Sequence, residues 1–189
     1  KGFREEGFLP GAVLNFLALL GWNPGNEKEF FLLSDLIKSF SIDALNKSSA
    51  RFDPKKNLWF NQKHIQSLKN SQVEDLLFDE LKRKKVDFDK NKITQIVPLI
   101  KDRLTLTTNI LETSSYFFSD PKEFDLKFLK KFNDGGAKKL LSLCAEVLSD
   151  LDFSKSSIIK KTLEDFAGKK EIGFGKLLGL LRISLVGKL

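Results

Sequence analysis

An all-α fold is predicted for this 189-residue chain, and three observations carry the prediction. Apolar residues recur at helical spacing along nearly all of it. No stretch sustains the two-residue alternation of a half-buried strand. Proline, glycine and short polar residues fall where the periodic stretches begin and end. About ten short helices joined by short turns are expected.

The elements follow in order. Pro10 suits a first helical turn, with Val13, Leu14, Phe16, Leu17 and Leu20 at helical spacing behind it. Gly21 stops that helix, and Trp22-Asn23-Pro24-Gly25 reads as a turn. Ser34 is placed to cap a short helix carrying Leu36, Ile37 and Phe40, and Ser41 to Leu45 begins a further turn. Asp53-Pro54 is a start signal, a cap followed by a first-turn proline, for a helix from Lys55 to Leu68. Ser71 and Glu74 have the spacing of a capping box ahead of Leu76, Leu77 and Leu81. That helix runs into Lys82-Arg83-Lys84-Lys85, where cations complement the helix dipole. Asn91 to about Phe118 is periodic again, with Pro98 set to kink it or to mark a first turn. Asp120-Pro121 restarts the chain before Leu126, Phe128 and Leu129. Gly135-Gly136 opens a helix from Ala137 to Leu151; Ser154 or Ser156 opens the next, which Gly168 ends. Gly173-Phe174-Gly175 introduces the last, bearing Leu177, Leu181, Ile183 and Leu185. A boundary near Asn70 gives regions 1–70 and 71–189, and a weaker break lies near Asp120.

Composition narrows the chemistry. Hydrophobic residues make up 41% and charged residues 30%, enough for a core and inconsistent with global disorder. One cysteine, Cys144, forms no internal disulfide, and with a single histidine, His64, it builds no zinc site. Cys144 lies on an apolar helical face and reads as a small core residue; His64 reads as structural or surface. No apolar run is long enough to span a membrane. The N-terminus carries neither a signal-peptide pattern nor an initiator Met, so the chain reads as a fragment cut at both ends. A reducing cytoplasmic setting and a monomeric state fit. No glycine-rich phosphate cradle follows a strand, and no nucleophile elbow is present, so no catalytic residue is assigned.

Positive charge is uneven. The formal net charge is +7, and the segment Lys155–Leu189 alone carries +5. Arg51 to Asn70 carries +4 and interleaves Trp59, Phe60, Asn61 and His64 with its lysines. Basic groups make phosphate contacts, while aromatic and amide groups suit stacking and hydrogen bonding to unpaired bases. The same residues suit a solvated helix face with Trp59 and Phe60 in the core. Arg103 and Arg182 stand apart from the lysines; each offers a planar donor fork for a base edge or phosphate, or for a surface ion pair. A helical protein–protein interaction domain with a basic surface is the alternative to an RNA-binding one.

A resemblance gives these residues a context. Arg4-Glu5-Glu6-Gly7-Phe8-Leu9-Pro10, followed by Leu14-Asn15-Phe16-Leu17-Ala18-Leu19-Leu20-Gly21-Trp22, resembles bacterial glutamyl-tRNA synthetases just after their Lys-Met-Ser-Lys-type loop. Phe52-Asp53-Pro54 through Leu58-Trp59-Phe60-Asn61 is similar to the family's next element, and Gly175-Lys176-Leu177 through Leu181-Arg182-Ile183-Ser184-Leu185-Val186-Gly187 to its closing helix. The closing motif departs from the family in having Gly179 or Leu180 for proline and Val186 for threonine. The resemblance implies a stem-contact region over 1–70 and a helical anticodon-binding region over 71–189 of a class I synthetase. It implies tRNA(Glu) as partner, no cofactor in this chain, and ATP and Mg in the parent enzyme. It places Arg103 against the third anticodon base, where the family's discriminating members reject glutamine tRNA, and Arg182 near the first. Trp59, Asn61, Lys63 and Lys176 are implied stem or backbone contacts.

Overall fold

The computed structural model describes residues 2–46, 51–132 and 135–188, and it is all-helical apart from one isolated antiparallel bridge between Trp22 and Leu45. The chain divides into two compact units, 1–118 and 119–189.

The first unit holds α1 (Phe3–Glu6), α2 (Pro10–Gly21), α3 (Leu33–Ser39), α4 (Pro54–Ser67), α5 (Asn70–Arg83), α6 (Lys90–Ile100) and α7 (Ile110–Ser114). Its main core is a stripe on each of three helices. Ile65 of α4, then Val73, Leu77 and Leu81 of α5, meet Ile93, Ile96, Val97 and Ile100 of α6, with Leu104 and Ile110 closing the cluster. The spacing of these residues keeps them on one side of each helix. Each such side chain contributes about 1.5–3 kcal/mol by leaving water. A smaller cluster of Trp22, Phe31 and Leu36 fixes the turn after α2 against α3.

The second unit holds α8 (Leu126–Leu129), α9 (Gly136–Leu148), α10 (Ser156–Lys169) and α11 (Phe174–Val186). Phe128, Leu140, Cys144, Leu163, Phe166, Ala167, Leu177, Leu180 and Ile183 form its core, so Cys144 is the buried small residue that its setting predicts. Burial pushes its thiol pKa upward. Gly187 closes α11 with φ +82°, and its carbonyl accepts from the Asp125 amide at 2.8 Å, tying the end of α11 to the start of α8. A Cβ there would collide with the Glu123 carbonyl, so both the backbone conformation and the space demand glycine.

The Asp53-Pro54 start is as expected, whereas several other boundaries differ. Asp53 caps α4, its carboxylate accepting from the Lys55 and Lys56 amides. The cap position of α5 is Lys69, two residues before Ser71, and the Gln72 side chain accepts from the Lys69 amide at 2.8 Å. Ser34 lies inside α3, whose cap position is Leu32, so it caps nothing. Gly168 lies within α10, which runs one residue further to Lys169. Pro98 neither starts nor interrupts α6; it sits in the last turn, exposed, where water can reach the Thr94 carbonyl that loses its donor. The helix ends two residues later and tightens into a 3-10 turn, Lys101–Arg103.

Candidate nucleic-acid interface

The candidate interface in the first unit centres on α4. Asn57, Phe60, Asn61, His64 and Ile65 face inward at positions i, i+3, i+4, i+7 and i+8. Trp59 and Lys63 consequently face outward, and the Lys63 ammonium lies 5.9 Å from the Trp59 ring centroid. The two adjacent aromatics thus separate. Phe60 is fully buried, whereas Trp59 retains 37% exposure and packs edge-on against Phe60.

The 3-10 turn bearing Arg103 is held from several sides. The Asp102 carbonyl accepts from the Gln62 side chain at 2.8 Å and from Gln66 at 3.1 Å. The Thr105 carbonyl accepts from the Asn61 amide at 2.6 Å. Lys101 donates to the Leu68 carbonyl, and Leu104 is buried beneath the turn. Beyond it, the Thr107 amide donates to the Gly7 carbonyl at 3.0 Å and the Thr108 hydroxyl to the Glu6 carbonyl at 2.9 Å. Gly7 adopts φ +95°, and an added Cβ would stand 2.7 Å from the Thr108 amide nitrogen. The turn is therefore fixed to α4 and to the segment after α1, while Arg103 itself is exposed. Among the described residues its guanidinium has no ion-pair partner, neighbouring Asp102 included.

Asn61 is placed differently from a surface contact. It has no exposed surface, its carbonyl oxygen accepts from the Leu9 amide at 2.7 Å, and its NH2 donates to Gly7 and Thr105. A side chain so enclosed presents no surface to a ligand and instead holds the backbone around it. Gln62 and Gln66, which no sequence pattern singles out, share that work. Their partner lies 36 to 40 residues away, and a glutamine on a helix flank carries no local signal of it.

His64 is also internal. Asn15 is oriented by donating to the Glu29 carbonyl and accepting from the Phe31 amide, so its oxygen also faces the His64 Nε2, 3.3 Å away. Nε2–H is then the donor, and burial depresses the pKa of the ring. No group of three His, Cys, Asp or Glu residues able to hold a metal ion exists among the described residues, and none of the described helices is long and apolar enough to cross a membrane.

In the second unit, α11 buries Leu177, Gly179, Leu180 and Ile183 and exposes Arg182 between Leu178 and Leu185 at helical spacing. Arg182 has no ion-pair partner among the described residues. Lys176 is exposed one turn into the helix, its ammonium 4.6 Å from the Phe132 ring centroid. The two arginines belong to separate units, each seated on a buried stripe of its own.

Comparison with known proteins gives a consistent context. Residues 63–189 match the family model described as "Anticodon binding domain", and residues 1–59 match that described as "tRNA synthetases class I (E and Q), catalytic domain". The whole chain is 40% identical to the glutamate–tRNA ligase of Christiangramia forsetii and 36% identical to that of Bacteroides thetaiotaomicron. It spans 37% of the length of each. A crystal structure of the glutamate tRNA ligase from Elizabethkingia meningosepticum in complex with its amino acid superposes over all of this chain and 37% of that one, with a TM-score of 0.83 at 37% identity. The Elizabethkingia anophelis enzyme gives 0.81 at 36%.

Proposed function

Because this chain belongs to the anticodon-binding-domain family and matches glutamate–tRNA ligases from end to end, we propose that it recognises the stem and anticodon of tRNA(Glu) for such a ligase. Region 1–70 makes the stem contact and region 71–189 takes the anticodon. The ligase activity, attachment of glutamate with ATP and Mg, is assigned to the whole parent protein, acting as a cytoplasmic monomer, and residues 1–59 are the part of this chain that matches the catalytic-domain model.

One observation carries the reading: Arg103 is exposed, without an ion pair among the described residues, on a backbone turn that three buried or half-buried amide side chains hold still. Anticodon bases are unstacked, so a side chain can reach their Watson–Crick edges. A guanidinium offers two parallel donors to a base edge, and its discrimination depends on being held in register. Asn61, Gln62 and Gln66 provide that register. Arg182, on the exposed stripe of α11, reads a second base. Trp59 offers a stacking face beside Lys63, and Lys63 and Lys176 contribute phosphate contacts whose strength falls with salt.

The test is binding of tRNAs carrying the glutamate and glutamine anticodons to Arg103→Gln and to the unsubstituted protein. The substitution is expected to shrink the preference by ~1–3 kcal/mol while the salt dependence stays as it was. An equal loss for both tRNAs would remove Arg103 from base reading.

A further inference from the structure

The second unit contains a cleft that the two arginines do not use. It has a volume of about 410 Å³ and lies between the segment after α8, the first turns of α9 and the connection from α10 into α11. Lys131, Lys139, Lys170 and Lys176 line it, together with Phe132 and Leu143, and no described lining residue is acidic. Lys176 is stacked over Phe132 at 4.6 Å, and Lys131 reaches over the neighbouring Phe128 ring at 5.0 Å. None of the four lysines makes an ion pair among the described residues.

Four lysines line one cleft with no described acidic residue among the lining, and an anion carrying more than one charge would offset that concentration of positive charge. The apolar part of the lining favours a ligand that brings a hydrophobic face with its charge. Single-stranded nucleic acid combines the two: a phosphate chain that tracks basic groups and rings that lie on aromatic or aliphatic surface. A cleft of this volume is the size of a small-ligand pocket and admits one strand, whereas a duplex turns its phosphates along a wide convex surface.

We propose that this cleft is a sequence-independent grip for unpaired RNA, with the phosphodiester between the lysines and the sugar or base over Leu143 and Ile172. It rests on the tRNA-recognition reading above and adds a holding site separate from the reading arginines. Lysine is the suited residue, because a point charge accepts any phosphate geometry and carries no base preference.

The experiment compares the full 189-residue chain with its Lys139→Gln/Lys170→Gln and Lys139→Arg/Lys170→Arg variants. Both positions are exposed, and circular dichroism verifies that each variant keeps its helicity. Affinity for glutamate and glutamine tRNAs is measured over a salt series, with a single-stranded oligouridylate and an RNA duplex of equal length as competitors. In the glutamine variant both tRNAs should weaken by the same factor, and the log–log salt slope should shrink by about 1 for each phosphate that is no longer neutralised. The arginine variant should restore the slope, and the single strand should compete better than the duplex in the unsubstituted protein only. An unchanged slope, a loss confined to one tRNA, or equal competition by the duplex would overturn the grip, while Arg103-dependent discrimination would still stand. Absence of tRNA binding by the unsubstituted chain would overturn both readings together.

Discussion

At the scale of single residues, the polar groups with most consequence are the buried ones. Asn61 bonds three backbone groups in two separate segments through one amide, and if the side chain were cut the Leu9 amide and the Thr105 carbonyl would lose their bonds to it, while the Gly7 carbonyl keeps the Thr107 amide. A buried polar group without a partner costs about 1–3 kcal/mol. Asn61→Ala is therefore expected to lower unfolding free energy by at least ~2 kcal/mol in urea titration, and to loosen the turn carrying Arg103. Retained stability would show that water replaces the amide. His64 gives a pH signature. Burial holds its pKa below the ordinary value of 6.5, so the unfolded chain binds the proton more readily than the folded one. The neutral form's stability is fully present above pH ~6.5 and declines as pH falls through that value towards the folded pKa. Thermal melts across that window should show a falling midpoint, and His64→Gln should flatten this contribution. The sequence reading takes Trp59 and Phe60 together, as stacking groups or as a pair in the core, and the structure divides them, because two adjacent residues on a helix do not share a face. The inward stripe through Asn57, Asn61 and His64 decides it, and that stripe is polar, so hydropathy alone does not mark it.

At the scale of elements, the start signals with local chemistry are the ones that hold. Asp53-Pro54 encodes its cap within three residues, and α4 begins there. Ser71 and Glu74 also have capping spacing, yet Gln72 reaches back to Lys69 instead, since burial of Val73, Leu77 and Leu81 sets the helix phase and the cap adapts to it. Gly179 illustrates a requirement visible only in three dimensions. A glycine inside a helix costs ~1 kcal/mol relative to alanine by propensity, so the isolated sequence favours replacing it. In the folded chain a Cβ at 179 would stand 2.6 Å from the Phe128 ring, with α8 packed directly over α11. Gly179→Ala is expected to destabilise the second unit by ~1–3 kcal/mol through overpacking, despite its better propensity. Chemical denaturation of Gly179→Ala and of a Gly179→Ala/Phe128→Leu double variant checks this, because removing the ring should restore the stability that the methyl removes. A stabilising alanine would mean that α8 yields without cost.

At the scale of the whole molecule, charge and fold class are legible from composition and period, whereas the surroundings of each arginine are not. Both Arg103 and Arg182 are visible in the sequence as guanidiniums among lysines. What holds the turn that bears Arg103 is Gln62, Gln66 and Asn61 arriving from a helix some 40 residues away, and no pattern along the chain encodes that meeting. The division into two units bears on the energetics. Arg103 stands in the first unit and Arg182 in the second, and among the described residues they have no ion-pair partner in common. Substitutions that share no partner add within about 0.5 kcal/mol. If each arginine reads its own base, Arg103→Gln and Arg182→Gln should each weaken binding of tRNA(Glu), and the double variant should lose the sum of the two. A glutamine-anticodon tRNA, which differs at the base assigned to Arg103, should respond to Arg182→Gln as tRNA(Glu) does and to Arg103→Gln less. Isothermal titration of the four proteins with both tRNAs completes the cycle. Strong coupling between the substitutions would mean that the arginines grip one group jointly, and the assignment of one base to each would fail.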